Sequence, residues 1–166
     1  MASIPAPEDR LVLLDFLPFR LYRLATEVSR ELSRTYSRDF GIDIPEWRVI
    51  ATLGNQEPAV AQAIAEATRM HKSTVSRAVA HLIETGWVER VPDRGDRRQL
   101  LLRLTDEGRA RYARLVPVVL DYQARLVEAL GPEASGDLLR ALDRLEDALG
   151  LERRPGSADL ESDAAD

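Results

Sequence analysis

The hydrophobic positions along the chain predict a mostly helical protein that begins with one long helix. From Leu11 onward, apolar residues recur at steps of three and four, which is the spacing of one helix face. Pro18 lies where it would kink or restart this helix, and Gly41 is placed to end it. A helix of this length with a single apolar face needs a second helix to cover that face.

Three shorter helices are predicted next. The segment IPEWRVIATL, residues 44–53, puts Pro45 in a first helical turn, where proline is well tolerated. An alanine-rich helix covers about 60–68, and a further helix runs over about 72–85 and stops at Gly86. After these three short helices, the spacing of the hydrophobic residues changes.

That change of period predicts a β-hairpin. Residues 87–93 and 99–106 read as two strands, and the turn RGDRR between them is centred on Gly95. Thr105 is then a suitable N-cap for a long helix that reaches about residue 130. A last helix carries leucines at steps of four, three and four between 138 and 149.

Composition narrows the function classes. The chain has 166 residues, of which 45% are hydrophobic, so it can bury a core. It has no cysteine, which excludes disulfides, thiolate chemistry and cysteine-type zinc sites. The start MASIPAPEDR does not resemble a signal peptide, and no long apolar run predicts a membrane span. We therefore expect a cytoplasmic protein without a membrane partner.

The distribution of charge indicates an anionic partner. The net charge is −5, but residues 69–114 hold 11 basic and 6 acidic residues, and the remainder holds 12 and 22. A basic middle within an acidic frame suggests that one surface binds an anion such as DNA. The alternative is that an arginine-rich composition produces a basic stretch by chance.

The three short helices and the hairpin follow the order of a winged helix-turn-helix. In such a unit a small residue lets two helices cross closely, and Ala65 has that position. Val75, ten residues later, would fill the core beneath the second helix, and Met70 would pack under the turn. Arg69 stands where glycine is commonest, which is a departure from the usual pattern.

The outer face of the helix at 72–85 is suited to the major groove of DNA. Hydroxyls can bind phosphates or base edges, and an arginine can form a bidentate contact with guanine. The alternative for each side chain is an ordinary solvated polar face. The candidate DNA-binding residues of this helix are Lys72, Ser73, Thr74, Ser76, Arg77 and His81.

The hairpin turn adds a second candidate contact. An arginine can enter a narrow minor groove, where the negative potential is strongest. Asp96 and Arg98 are two residues apart on an emerging strand, so the aspartate could hold the guanidinium before binding. The alternative is a solvated turn with weak surface ion pairs. The candidate residues here are Arg94, Asp96, Arg97 and Arg98.

The segments KSTVSRAVAHLIETGWVER and DRGDRRQLLLRLTDEG resemble the MarR (multiple antibiotic resistance regulator) family of transcription factors. The family's wing signature is D-x-R followed by L-T-x-x-G. In this chain those positions are Asp96, Arg98, Leu104, Thr105 and Gly108. The resemblance covers about residues 11–150 and implies a mostly α fold with a small β-hairpin wing (α+β).

The resemblance also implies an assembly and a mode of regulation. Members of this family are homodimers that bind a pseudo-palindromic operator in double-stranded DNA, usually to repress a promoter. Many are released by a small anionic, often phenolic, ligand, whereas others use a cysteine or zinc. Since this chain has no cysteine and only two histidines, His71 and His81, we expect neither thiol sensing nor a metal site, and no cofactor.

A ligand site is expected near the joint between the first helix and the winged domain. FLPFRL and IPEWRV are similar to a subset of the family that controls breakdown of aromatic acids or their coenzyme A thioesters. An arginine there would pair with a carboxylate or phosphate, whereas aromatic residues in this pattern are more often plain core than ligand contacts. The candidate ligand-binding residues are Phe16, Phe19, Arg20, Arg23, Trp47 and Arg48.

Rival function classes find less support in the sequence. An enzyme would need a catalytic cluster, but the chain has no cysteine, Gly-rich phosphate loop or HExxH motif. A ligand-binding or scaffold protein without sequence-specific DNA binding remains the alternative. The expected organisation is a flexible N-terminus at 1–10, a dimerisation helix at 11–42, a winged helix-turn-helix at 43–106, dimerisation helices at 107–150 and a disordered acidic tail at 151–166.

Overall fold

A computed structural model describes residues 11–93 and 100–151. They form two compact units, which divide between Tyr122 and Gln123. Within the described ranges the chain order is α1 (Leu17–Phe40), α2 (Ile44–Asn55), α3 (Ala61–Thr68), α4 (Lys72–Glu84), β1 (Val88–Pro92), β2 (Leu100–Leu104), α5 (Asp106–Leu130) and α6 (Pro132–Ala148). The predicted mostly α class with a β-hairpin wing is confirmed.

The first helix starts later than the sequence pattern predicted. α1 begins at Leu17 and not at Leu11, because Pro18 occupies its first turn, where its fixed φ favours a helix start. The helix ends as expected at Gly41, whose φ of 67° is left-handed and whose N–H donates to the Ser37 carbonyl at 3.0 Å. Residues 11–16 therefore precede the helix as turns and extended chain.

The core of the first unit lies between the short helices and the hairpin. Trp87, Ile50 and Leu82 are among its fully buried side chains, and each large apolar residue contributes about 1.5–3 kcal/mol by leaving water. The α1 helix adds Tyr36, and α5 adds Leu115, to the same cluster. The core thus holds α2, α3, α4 and the hairpin together as one winged unit.

The hairpin is antiparallel and its register is fixed by burial. Val88 pairs with Leu104, and Pro92 pairs with Leu100 at the other end. Leu102 and Leu104 are buried on the core face, whereas Leu100 is exposed. Both strands are shorter than the predicted segments 87–93 and 99–106.

The second unit contains the end of α5 and the whole of α6. Its helix α6 follows Gly131, with Pro132 and Glu133 in its first turn. In the leucine stripe predicted there, Leu138 and Leu149 are exposed, whereas Leu142 and Leu145 are half-buried. Among the described residues, no helix combines the length and apolar character needed to cross a bilayer.

Candidate nucleic-acid interface

The helix-turn-helix is built by α3 and α4 as the spacing predicted. Ala65 and Val75 are both buried, and Met70 packs partly buried against the core. The Met70 N–H donates to the Ala65 carbonyl at 3.2 Å across the turn. Arg69 adopts a left-handed φ of 55°, which explains why glycine is common at this position. The tight turn fixes α4 against α3.

One face of α4 is buried and the opposite face is open. Val75, Val79 and Leu82 enter the core, so the polar side of the helix is turned outward. Thr74 is half-buried. The other candidate side chains of this helix, namely Lys72, Ser73, Ser76, Arg77 and His81, are exposed. The structure therefore brings the predicted residues of α4 together on one accessible surface.

A cleft of about 360 Å³ runs between this surface and the first turn of α2. His81 contacts Glu46 there, through its Nδ1 and the Glu46 Oε1. Only 7% of Glu46 is exposed. His81 is thus held by α2. The cleft is lined by Asp43, Pro45, Glu46, Thr74, Arg77, Ala78 and His81.

Glu46 is a residue that the sequence analysis missed as part of this surface. It forms a capping box with Asp43: the Asp43 carboxylate accepts from the Glu46 N–H at 2.9 Å, and the Glu46 carboxylate accepts from the Asp43 N–H at 2.7 Å. The capping box could have been predicted from the sequence, since an acidic or hydroxyl N-cap followed three residues later by glutamate is typical of a helix start. The contact with His81 carries no such local signal.

The base of the wing is anchored to the connector between α2 and α3. Ala59 and Leu102 exchange two backbone hydrogen bonds, of 3.0 and 2.8 Å. The Glu57 carboxylate accepts from the Leu104 N–H at 2.8 Å and from the Arg109 guanidinium at 2.6 Å. One glutamate therefore joins the connector, β2 and the first turn of α5.

The start of α5 closes tightly on the hairpin. The Thr105 hydroxyl accepts from the Gly108 N–H at 2.8 Å, as expected of an N-cap, and donates to the Gly86 carbonyl at 2.7 Å. The Arg111 guanidinium lies 5.2 Å from the centre of the Trp87 ring. These contacts fix α5 on the winged core.

The predicted wing-tip contacts lie outside the described residues. These are Arg94, Asp96, Arg97 and Arg98. Both strands that lead to them are described, and the exposed Arg103 on β2 pairs with Glu89 of β1 at 2.7 Å. The strands therefore fix where the wing tip leaves the core.

The predicted ligand-binding residues differ in burial in the described part of the chain. Trp47 packs against the Tyr36 ring at 5.8 Å and joins the core. Burial, followed by the charge of Asp43, raises the pKa of Tyr36 to about 12. Phe19 is half-buried, and Phe16, Arg20 and Arg23 are exposed on or beside α1.

A groove between α1 and α2 includes only one of the six candidates, Arg48. Its volume is about 380 Å³. Arg30 contributes a second guanidinium, and Tyr22 contributes an aromatic ring. The groove therefore combines cationic, aromatic and hydroxyl groups. Its lining residues are Tyr22, Ala25, Thr26, Ser29, Arg30, Ser33, Ile44 and Arg48. Within residues 11–93 and 100–151, no three histidine, aspartate or glutamate side chains form a cluster that could hold a metal ion.

Comparison with known proteins shows which family the chain resembles. The MarR family model matches residues 40–99. The HTH-type transcriptional regulator PecS of Dickeya dadantii (strain 3937) is 28% identical over 129 residues, which cover 76% of this chain and 77% of PecS. The matched proteins are transcriptional regulators and not enzymes.

Solved structures of the same family have the same fold. A MarR/EmrR family regulator from Acinetobacter sp. ADP1 superposes with a TM-score of 0.72 at 25% identity, over 80% of this chain and 94% of that one. The transcriptional repressor CouR, bound to a 23-mer DNA duplex, superposes with a TM-score of 0.73 at 25% identity, over the same shares of the two chains. In its helix-turn-helix and its wing strands, the chain is therefore similar to the MarR family of transcriptional regulators.

Proposed function

We propose that this protein is a homodimeric repressor that binds a pseudo-palindromic operator and is released by a small anionic, aromatic ligand. The observation that carries the proposal is the outward polar face of α4 on a helix-turn-helix supported by a hairpin. Residues 43–106 would form the DNA-binding domain, and 11–42 with 107–150 the dimerisation region. We place its action in the cytoplasm, because its target is chromosomal DNA.

The α4 surface would enter the major groove, with separate roles for its side chains. Arg77 is exposed and central, which suits a bidentate contact with guanine. Lys72 and the backbone amides at the helix start suit a phosphate. Ser73, Thr74 and Ser76 would position the helix on phosphates or base edges, with His81 further along. From the wing, Arg94, Arg97 and Arg98 would reach the minor groove, with Asp96 orienting Arg98.

Dimerisation is supported by apolar side chains that the chain leaves uncovered. Between residues 11 and 24, Leu11, Leu14 and Leu24 are each more than half exposed. Exposed large apolar side chains of this kind are typical of a protein interface. In the dimer, two recognition helices would lie about 34–36 Å apart and read half-sites about 10 bp apart. A footprint on a single unpaired half-site would contradict this arrangement.

The effector would bind in the groove between α1 and α2. Arg48 and Arg30 offer guanidinium groups for a carboxylate or phosphate, and Tyr22 offers a ring for an aromatic group. An aromatic acid or its coenzyme A thioester has both features. Thermal-shift screening of such compounds should raise the melting temperature of the protein, and Arg48→Ala should abolish that rise. If no compound of either class stabilises the protein, the effector proposal is wrong.

Fluorescence anisotropy with duplexes from the chain's own promoter tests the central proposal. Affinity should fall steeply with salt, because phosphate contacts release counterions. Arg77→Ala should lose sequence preference, by about five- to 150-fold between the operator and a scrambled duplex. Arg98→Ala should weaken binding to all duplexes and reduce the salt slope.

Arg34→Ala is the matched control, since it removes an exposed arginine of α1 that pairs with Glu31. It should leave operator affinity unchanged. A wild-type chain that ignores its own promoter DNA even in dilute buffer would instead support a ligand-binding or scaffold protein.

A further inference from the structure

The contact between His81 and Glu46 divides the imidazole into two distinct ends. Its Nδ1 faces the Glu46 carboxylate, which is 7% exposed, whereas the His81 side chain as a whole is 45% exposed. The other charged side chains lining the same cleft are Asp43 and Arg77. The His81 Nδ1 therefore has a buried partner, while almost half of the side chain is exposed.

The Glu46 carboxylate is itself held in place. Its Oε2 accepts from the Asp43 N–H at 2.7 Å, and the capping box fixes the glutamate backbone at the start of α2. An ionised carboxylate can only accept hydrogen bonds. The His81 Nδ1 that faces Oε1 must therefore carry a hydrogen. In the neutral ring, the hydrogen on Nδ1 leaves Nε2 as an acceptor.

We infer that Glu46 determines which hydrogen-bonding group His81 offers to DNA, and thereby selects the base pair read beside the end of α4. This inference rests on the proposed function. A neutral His81 with an acceptor at Nε2 pairs with the exocyclic amino group of adenine or cytosine. It does not pair with the O6 and N7 acceptors of guanine. Glu46 is a positioning residue, because it acts through His81.

The substitution Glu46→Gln should reverse this selection. The Asp43 N–H needs an acceptor, so the glutamine carbonyl oxygen takes the place of Oε2. The glutamine NH₂ group then faces His81 and can only donate. His81 Nδ1 becomes the acceptor, and the ring hydrogen moves to Nε2. The His81 Nε2 is thus converted from an acceptor to a donor, which favours the O6 of guanine or the O4 of thymine at the same position.

Nitrogen NMR of the full chain without DNA tests the tautomer directly. His71 and His81 are the two histidines, and His71→Gln assigns their signals. The spectra are recorded in alkaline buffer, at a pH where the imidazole shifts no longer change. Wild-type His81 should show a protonated-type shift at Nδ1 and an unprotonated-type shift at Nε2. The Glu46→Gln variant should exchange these two signals.

Operator variants test the consequence for recognition. Each base pair of the footprint is substituted in turn, and affinities are measured by anisotropy for wild type, Glu46→Gln and His81→Ala. At one symmetric pair of positions, wild type should prefer adenine or cytosine by about fivefold or more. The Glu46→Gln variant should prefer guanine or thymine there, and His81→Ala should lose the discrimination. Glu84→Gln, an exposed glutamate at the end of α4, is the control for lost charge and should behave as wild type.

The two arms distinguish this inference from the proposed function. A wild-type chain that binds no promoter duplex overturns the proposed function. A chain that binds its operator but carries the His81 hydrogen on Nε2 overturns the inference, and this result does not depend on any substitution of Glu46 or His81. The inference also fails if the tautomer is as expected but Glu46→Gln and wild type prefer the same bases.

Discussion

Arg69 occupies a backbone conformation that side chains rarely adopt. Its φ of 55° closes the turn between α3 and α4, and the Arg69 N–H donates to the Glu66 carbonyl at 3.4 Å. The left-handed region costs a residue with a Cβ about 1–2 kcal/mol, and glycine avoids that cost. The chain therefore keeps a basic side chain beside α4 at the expense of stability.

Arg69→Gly should stabilise the protein by about 1 kcal/mol and raise its melting temperature by roughly 2–4 °C. Differential scanning calorimetry measures both. Arg69→Ala is the matched control, because it removes the same side chain but keeps the Cβ. If alanine stabilises as much as glycine, the backbone explanation is wrong.

Tyr36 should make the stability of the protein fall at alkaline pH. Its pKa is raised by burial from 10.0 to about 12, so the unfolded chain loses this proton first. The contribution is complete below pH 10 and is lost as pH rises towards 12, by up to about 1.4 kcal/mol per pH unit. The unfolding free energy measured in urea should fall less steeply across this pH range for Tyr36→Phe. Tyr22→Phe, at a position 69% exposed, should follow wild type.

The elements themselves could largely be predicted from local signals. Gly41, Pro45 and Thr105 mark helix ends that the structure reproduces, because capping and turn chemistry act within a few residues. The start of α1 was misjudged, since the apolar period continues through residues that precede Pro18. Residues 11–16 have the composition of a helix face, but they form turns.

The contacts that join elements could not be predicted in the same way. Glu46 meets His81 across 35 residues, and Glu57 meets Leu104 across 47. No periodicity within one element encodes such a pairing, because it depends on how the helices and the hairpin pack. The polar face of α4 was therefore predictable, whereas the residue that orients His81 was not.

The junction between β1 and α5 gives a prediction at the scale of elements. A Cβ at Gly108 would lie 2.0 Å from the Trp87 carbonyl oxygen, so Gly108→Ala forces α5 away from the hairpin. We expect a loss of about 1–3 kcal/mol in unfolding free energy, measured by urea denaturation.

Gly136→Ala on α6 is the corresponding control. The nearest atom to its Cβ would be the flexible Arg140 Nη1 at 3.3 Å. Because alanine favours a helix, this change should be neutral or stabilise by up to about 1 kcal/mol. A Gly108→Ala variant as stable as wild type would contradict the close approach of α5 to Trp87.

At the scale of the whole molecule, the proposed dimer predicts that self-association depends on the apolar surface of α1. Leu17 and Leu24 are 50% and 57% exposed and are seven residues apart, so they share one helix face. The double variant Leu17→Glu/Leu24→Glu should reduce the mass in light scattering from twice 18.6 kDa to 18.6 kDa. Burying two carboxylates at an interface costs several kcal/mol.

Leu100→Glu is the control for this prediction. Leu100 is 52% exposed on β2, so the same substitution adds charge outside α1. Its mass should remain that of the dimer. If the wild-type protein is monomeric at micromolar concentration, the exposed apolar face of α1 is not a dimer interface.

The Glu57 carboxylate has a mechanical consequence. It holds the Leu104 N–H of β2 and the Arg109 guanidinium of α5 at the same time, so neither partner can shift without disturbing the other. A small tilt of α5 near Arg109 would therefore be transmitted through Glu57 to β2 at the base of the hairpin. If the proposed effector binds among the helices, it could lower the affinity for operator DNA by moving α5, without occupying the surface that contacts the DNA.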